Sequence, residues 1–290
     1  MATALTANPY RNPIIGWMSD LESMRVEDAR AFYRHWYAPN NAALVIVGDV
    51  APDDVIALAE KYFGAIPARA LPERKPQEEP AQLGAKRVTV KAPAELPYVL
   101  MAFRAPVLRD PERDWEPYAL EMLAAVLDGS EAARLHRTLV RDERIASAAD
   151  ASYDSVARGP GFFFLAAAPT PGRSAAEVEQ ALRREMAKII EQGVDQEELD
   201  RAKAQAVAEH VFDRDSMFSQ ARQIASLEAA GISSQTLDLQ LQKLRAVTPE
   251  QVREVARKYF RDDDLTIATL DPQPVEGGRR TPSLPVRHAQ

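Results

Sequence analysis

Four histidines are the only side chains in this 290-residue sequence that offer a transition metal an imidazole, and no cysteine offers a thiolate. They stand at His35, His136, His210 and His288, and no two fall within one helical turn of each other. A zinc site on one helix face needs two imidazoles about a turn apart, so the sequence carries no such motif. His210 and Asp213 are spaced i, i+3 and could share a metal, but a lone pair binds weakly and a polar helix face accounts for both. His35 beside Trp36 and His136 beside Arg137 read as packing or surface residues.

Other chemistries are equally poorly supplied. Without cysteine there is no thiol nucleophile, no disulfide framework and no Cys-ligated zinc or iron–sulfur site. G-x-S-x-G is absent, and no Ser/His/Asp set stands out. The pairs Asp53-Asp54 and Glu197-Glu198 open helices, where negative charge gains roughly 0.3–1 kcal/mol from the dipole, so helix chemistry explains them. Gly159-Pro160-Gly161 lacks the lysine of a phosphate loop and precedes a strand, so it reads as a turn. Phe162-Phe163-Phe164 is apolar on both faces and reads as a buried strand, with a peptide-facing wall as the alternative.

The elements that would position these residues fall on either side of a Pro- and charge-rich linker, residues 67–84, with Pro67, Pro72, Pro76 and Pro80. In front of it, Val26–Tyr37 has helical spacing, Pro39-Asn40-Asn41 ends that helix, Ala43–Val47 is strand-like, and Pro52 opens a second helix through Phe63. Behind it come strands Arg87–Lys91 and Pro97–Phe103, then helices near Trp115–Leu127 and Ala132–Arg141. Strands near Ile145–Ser155 and Gly161–Ala168 follow, then a helix from Ser174 to about Glu191. Asp195-Gln196-Glu197-Glu198 reads as a capping box heading one long helix, and two shorter helices and a strand, Asp264–Leu270, come after Gly231. Strands and helices arrive in pairs, which predicts an α+β fold with a mixed sheet backed by helices. The tail, 273–290, reads as disordered.

Composition narrows the classes further. With 46% apolar residues the chain can build a real core, and a formal charge of −7 from 36 basic and 43 acidic residues gives no field for nucleic acid. The longest apolar runs, Ala42–Val47 and Phe162–Ala168, fall far short of the roughly 20 residues of a membrane helix. Met1–Asn8 has no export address, so the compartment stays open between bacterial periplasm and cytoplasm.

An internal repeat links the two segments. At an offset of 223 positions, Val26–Tyr37 matches Pro249–Phe260, Asn40-Asn41 matches Asp263-Asp264, and Trp36 and Tyr37 fall on Tyr259 and Phe260. Both segments therefore end in the same helix–turn–strand module, and the first copy lacks what should precede it.

The residues Asn8-Pro9-Tyr10-Arg11-Asn12-Pro13-Ile14-Ile15-Gly16, Glu27-Asp28, Tyr37-Ala38-Pro39-Asn40-Asn41 and Val45-Ile46-Val47-Gly48-Asp49 resemble the end of the first domain of insulinase/pitrilysin-type zinc peptidases, a group that includes the mitochondrial processing peptidases. Leu127-Asp128-Gly129, Ala133-Arg134-Leu135, Gly193-Val194, Glu197-Glu198-Leu199 and Val247-Thr248-Pro249-Glu250 resemble their second domain. The resemblance implies paired α+β domains, each with about six strands, closing around a peptide chamber. In that family, H-x-x-E-H on a first-domain helix holds zinc and its glutamate activates a water.

By that resemblance the zinc ligands lie upstream of Asn8. Residues 1–66 are then the remnant of a zinc-bearing domain and 85–272 a complete second, non-catalytic domain, and the chain binds no cofactor while its parent carries zinc. Family members whose second half completes the site place an arginine and, seven residues on, a tyrosine where Val140 and Ser147 stand here. Arg141 and Tyr153 are nearby but out of register, so Arg134, Arg141, Ser147 and Tyr153 are the candidates for facing a substrate chamber. The implied function is a non-catalytic portion of a zinc metalloendopeptidase, inactive alone. Its implied partners are the zinc-bearing half, a homologous Arg/Tyr-carrying subunit and peptide substrate, with no nucleic acid and no membrane. The alternative is a structural or interaction protein on the same fold, like core subunits of respiratory complexes.

Overall fold

The computed structural model describes residues 1–274; of the tail predicted over 273–290, Gln273 instead ends a strand, because its backbone continues the ladder opposite Pro93, and residues 275–290 with His288 lie outside the described residues. Behind the linker, alternation of apolar side chains builds one five-stranded mixed sheet from β1 (Lys86–Pro93), β2 (Tyr98–Ala105), β3 (Ala146–Tyr153), β4 (Gly161–Pro169) and β5 (Leu265–Gln273). The order is β1-β5-β2-β4-β3; β1 and β5 run parallel and the other neighbours antiparallel. The sheet is thus mixed, as expected, with five strands among the described residues rather than six.

Period-2 geometry divides the sheet into two faces. Val99, Met101 and Phe103 of β2 and Phe163, Leu165 and Ala167 of β4 enter the main core, with Leu265 and Ile267 of β5. Helices α4 (Glu116–Asp128), α5 (Ala175–Gln192) and α9 (Pro249–Tyr259) cover that face. Phe103 and Phe163 are paired across the ladder, and Phe260, just past α9, packs on both rings at centroid distances of 4.6 and 4.8 Å. On the opposite face Ala4 and Leu5 lie on Ala102 and Phe162, and Ala166 and Thr266 are buried as well. The phenylalanine run therefore serves both faces: Phe163 is core, while Phe162 and Phe164 point the other way.

Local chemistry fixes the helix ends. Ser174 and Glu177 form a reciprocal capping box on α5, and Thr248 and Gln251 form another on α9, satisfying N–H groups that have no intrahelical partner. At α6 (Gln196–Asp213) only half of the expected box exists, with Asp195 accepting from the Glu198 N–H. The expected single long helix is two, α6 and α7 (Met217–Ala230), because the Ser216 side chain caps a new start by accepting from the Ser219 N–H. Gly231, at φ 81°, ends α7 in the left-handed conformation that suits glycine. α8 (Leu237–Ala246) then leads to α9. The helix expected over 132–141 is a π-helical turn, His136–Asp142, with Glu143 N–H donating to Thr138 O.

In front of the linker stand α1 (Met18–Ser23), α2 (Val26–Trp36) and α3 (Pro52–Phe63). Ala43–Val47, expected as a strand, runs without any strand pairing. An extended run becomes a strand only when a ladder partner takes its backbone groups, and no described residue supplies one. Two of the repeat's three elements coincide at the 223 offset, α2 with α9 and the 3₁₀ turn Pro39–Asn41 with Asp262–Asp264, while the third, β5, has no counterpart strand in the first copy.

Candidate functional site

The turn after α4 brings Ala133-Arg134-Leu135 against the start of α6. Leu135 is fully buried and anchors the turn. Arg134 then points at Glu198, donating from Nε to Oε1 at 3.1 Å and from Nη2 to Oε2 at 2.5 Å, while Arg137 stands 3.6 Å from the same carboxylate. Glu198, read from sequence as a dipole-stabilising first-turn acid, is therefore also an ion-pair partner across 64 positions. A cavity of about 370 Å³ opens beside this pair, between Gly129, Ser130 and Ala202.

The other three candidate residues sit elsewhere. Tyr153, at the end of β3, donates its hydroxyl to the Pro106 carbonyl at 2.5 Å, and burial pushes its pKa up. Ser147, at the start of β3, is exposed and donates to the Ala168 carbonyl at 3.2 Å. Arg141 is exposed in the π-helical turn, where its carbonyl accepts from Arg144 Nε. Arg134 and Tyr153 line different cavities. Val140 packs against the main core.

Tyr153 lines a cavity of about 750 Å³ with Glu121, Asp154, Phe162, Phe164 and His210. Glu121, from α4, was not anticipated from sequence, because a single glutamate in an amphipathic helix gives no signal of where it points. Burial pushes its pKa up to about 7, against a hydrogen bond donated by Ser155 Oγ that favours the ionised form; the Asp154 charge adds to the rise. His210 is pushed down by burial and then by Arg214, whose Nη2 lies 3.2 Å from its Nε2.

The front segment carries a second large cavity, about 1220 Å³, lined by Phe32, Tyr33, Trp36, Tyr37, Leu44 and Phe63. Phe32, Tyr33, Trp36 and Tyr37 follow the helical spacing of α2, Leu44 lies on the unpaired run and Phe63 ends α3; Phe32, Tyr33 and Tyr37 are exposed, while Trp36 is half-buried with the Arg74 guanidinium over its ring. In α9 the positions equivalent to Phe32 and Tyr33 are Val255 and Ala256, both fully buried.

The donor groups that could ligate zinc are engaged elsewhere or stand apart. His136 Nδ1 lies 2.9 Å from the Glu131 carbonyl, His210 is engaged with Arg214, and His35 sits on α2. Among the described residues no three His, Asp or Glu side chains group to hold a metal ion. These residues do not fit a zinc site. No helix among the described residues is long and apolar enough to cross a membrane.

The chain is 27% identical over 274 residues to the zinc protease PqqE of Helicobacter pylori, covering 93% of this chain and 60% of that protein. It thus spans about three fifths of that relative's length. The crystal structure of a protease from Helicobacter pylori superposes with a TM-score of 0.86 at 25% identity, over 93% of this chain and 65% of that one. A peptidase M16 inactive domain from Pseudomonas fluorescens superposes at 0.78 with 19% identity, over 96% and 65%. Residues 23–206 match the family model described as the peptidase M16 inactive domain, which is well over half of the sequence, and the chain belongs to that family.

Proposed function

We propose that this chain is the non-catalytic portion of a zinc metalloendopeptidase, forming one wall of a peptide chamber and docking the zinc-bearing half. The observation that carries the reading is the contrast between the two copies of the repeated module. The face that α9 buries against its sheet is bare on α2, where Phe32, Tyr33 and Tyr37 are 58–61% exposed. So large an aromatic surface is costly in water, which favours a partner that covers it. The zinc proteases to which the chain is similar are longer than it is, and the zinc chemistry is assigned to residues outside this chain.

On this reading the chain contributes surface and shape. Phe164 and the neighbouring cavity offer an apolar wall for an extended peptide. Of the four candidate residues, Tyr153 borders that cavity, but its ring stacks on the core Phe163 and its hydroxyl is held by the Pro106 carbonyl, so it supports the wall from the core side. Arg134 is committed to Glu198, so its role is to hold α6 against the turn after α4.

The test uses the purified chain and a separately expressed polypeptide carrying the rest of the parent protein. The chain alone is expected to leave unstructured peptides intact, and the two polypeptides are expected to co-elute, with Phe32→Asp and Tyr37→Asp abolishing the association. Chelator-sensitive cleavage by the chain alone would overturn the reading.

A further inference from the structure

Glu79 lies in a stretch with neither helix nor strand, yet its side chain is only 7% exposed. Its Oε1 accepts from the Thr6 N–H at 2.6 Å, and its Oε2 accepts from the N–H groups of Ala7 and Asn8, both at 2.8 Å. Arg104 of β2 closes the arrangement, donating from Nη2 to Oε1 at 3.0 Å and from Nη1 to the Pro80 carbonyl at 2.7 Å. Three successive backbone donors converging on one anion make a nest, and here the chain supplies its own anion.

We propose that Glu79 is a latch: it ties residues 6–8 to Arg104 and so fixes the leading segment of the front module on the face of the back sheet opposite its main core. The surrounding contacts act in the same sense. Leu5 is buried on Ala102 and Phe162, and Lys86 donates to the Ala4 carbonyl and Thr6 Oγ1, both at 3.2 Å. At its other end the linker is held to the front module, where the Asn40 side chain exchanges two hydrogen bonds with the Arg69 backbone at 2.9 and 3.1 Å. Near Glu79, Gln82 donates to the Leu265 carbonyl of β5 at 2.7 Å. The linker therefore bridges the modules, and Glu79 is where the bridge grips the leading segment.

The carboxylate is suited to this role in a way an amide is not. All its partners donate, and a glutamine would turn an NH₂ group toward at least one of them. Burial alone would raise the pKa of Glu79; the N–H groups of Asn8, Thr6 and Ala7 and the Arg104 charge outweigh that and lower it to about 2. Glu79 is a positioning residue. The consequence for the chamber, that the latch sets the angle at which the bare α2 face is presented, rests on the proposed function; the latch itself does not.

Hydrogen exchange measured by mass spectrometry on the full 290-residue chain tests it. In Glu79→Gln, amides of residues 6–8 are expected to exchange at least tenfold faster while peptides from β2 and β4 keep their rates, and Glu78→Gln, at an exposed neighbour, is expected to change neither. Unchanged exchange at residues 6–8 in Glu79→Gln overturns the proposal. Should Glu79→Gln loosen the core as well, the rate of maleimide labelling at Ala7→Cys decides, since the chain has no other cysteine. Labelling several-fold faster in an Arg104→Gln background supports the latch, and an unchanged rate overturns it. A wild-type chain with protected residues 6–8 that fails to bind the zinc-bearing polypeptide would count against the proposed function and leave the latch standing.

Discussion

Arg134 and Glu198 meet as a two-pronged ion pair whose side chains are only 13% and 8% exposed. It joins the turn after α4 to the first turn of α6, where Arg137, 42% exposed, is a second cation beside the same carboxylate. Removing one member of a buried pair strands the other charge, at a cost of about 3–5 kcal/mol. Arg137 can partly compensate, so Arg134→Ala is expected to lose about 3 kcal/mol in urea unfolding. The double change Arg134→Met, Glu198→Leu is expected to recover most of that. An arginine kept only for substrate would leave the unfolding midpoint in place when truncated.

Glu121 makes stability depend on pH in the opposite sense to an ordinary ion-paired carboxylate. Its pKa in the fold, about 7, lies above its ordinary value of 4.5. Between those values the native state keeps a proton that the unfolded state has released, so stability falls as pH rises from 4.5 to 7 and stays lower above that. Glu121→Gln removes this titration. The variant is expected to match wild type near pH 4.5 and to exceed it by about 3 kcal/mol at pH 8, which urea midpoints at the two pH values will measure.

What could be read in the sequence was what local chemistry decides. The helix starts at Ser174 and Pro249 were legible because spacing decides them locally, but the box read at Asp195–Glu198 half-forms, and the full boxes are Ser174 with Glu177 and Thr248 with Gln251. The phenylalanine run announced a core strand because length and composition suffice. The rest depends on partners distant in the chain. Glu79 looks like any linker acid until Thr6, Ala7 and Asn8 fold back onto it from more than 70 positions away. Arg134 looks free until α6 brings Glu198. Ala43–Val47 has the pattern of a strand, but pattern cannot provide the neighbouring strand that a ladder needs.

Arg144 is the one non-glycine residue with positive φ among the described residues, at 52°. The left-handed region costs an L-residue roughly 1–2 kcal/mol through contact of Cβ with the following carbonyl. What its side chain gains is a long hydrogen bond, 3.4 Å, to the Arg141 carbonyl, whereas its own carbonyl, which accepts from Thr170 Oγ1, would survive any substitution. Arg144→Gly is therefore expected to stabilise by about 0.5–1 kcal/mol after its larger unfolded-state entropy is subtracted. Arg144→Val, β-branched and less tolerant of this conformation, is expected to destabilise; calorimetric midpoints will separate the two.

Phe32 and Val255 occupy equivalent places in the repeated module, yet Phe32 is 59% exposed and Val255 is fully buried. If exposure reflects a missing partner rather than a weakly folded helix, the two positions must respond oppositely to a polar change. Val255→Ser, which puts a hydroxyl and a void into the core, is expected to cost about 2–4 kcal/mol. Phe32→Ser together with Tyr37→Ser is expected to leave the unfolding midpoint of the isolated chain within about 0.5 kcal/mol and to lower its binding of a hydrophobic dye. In the presence of the zinc-bearing polypeptide the ranking should change, because a face that is covered on association gains its stabilising value there. A double variant that unfolded the isolated chain as readily as Val255→Ser would mean that α2 already buries this face against its own segment, and the docking role would then need a different surface.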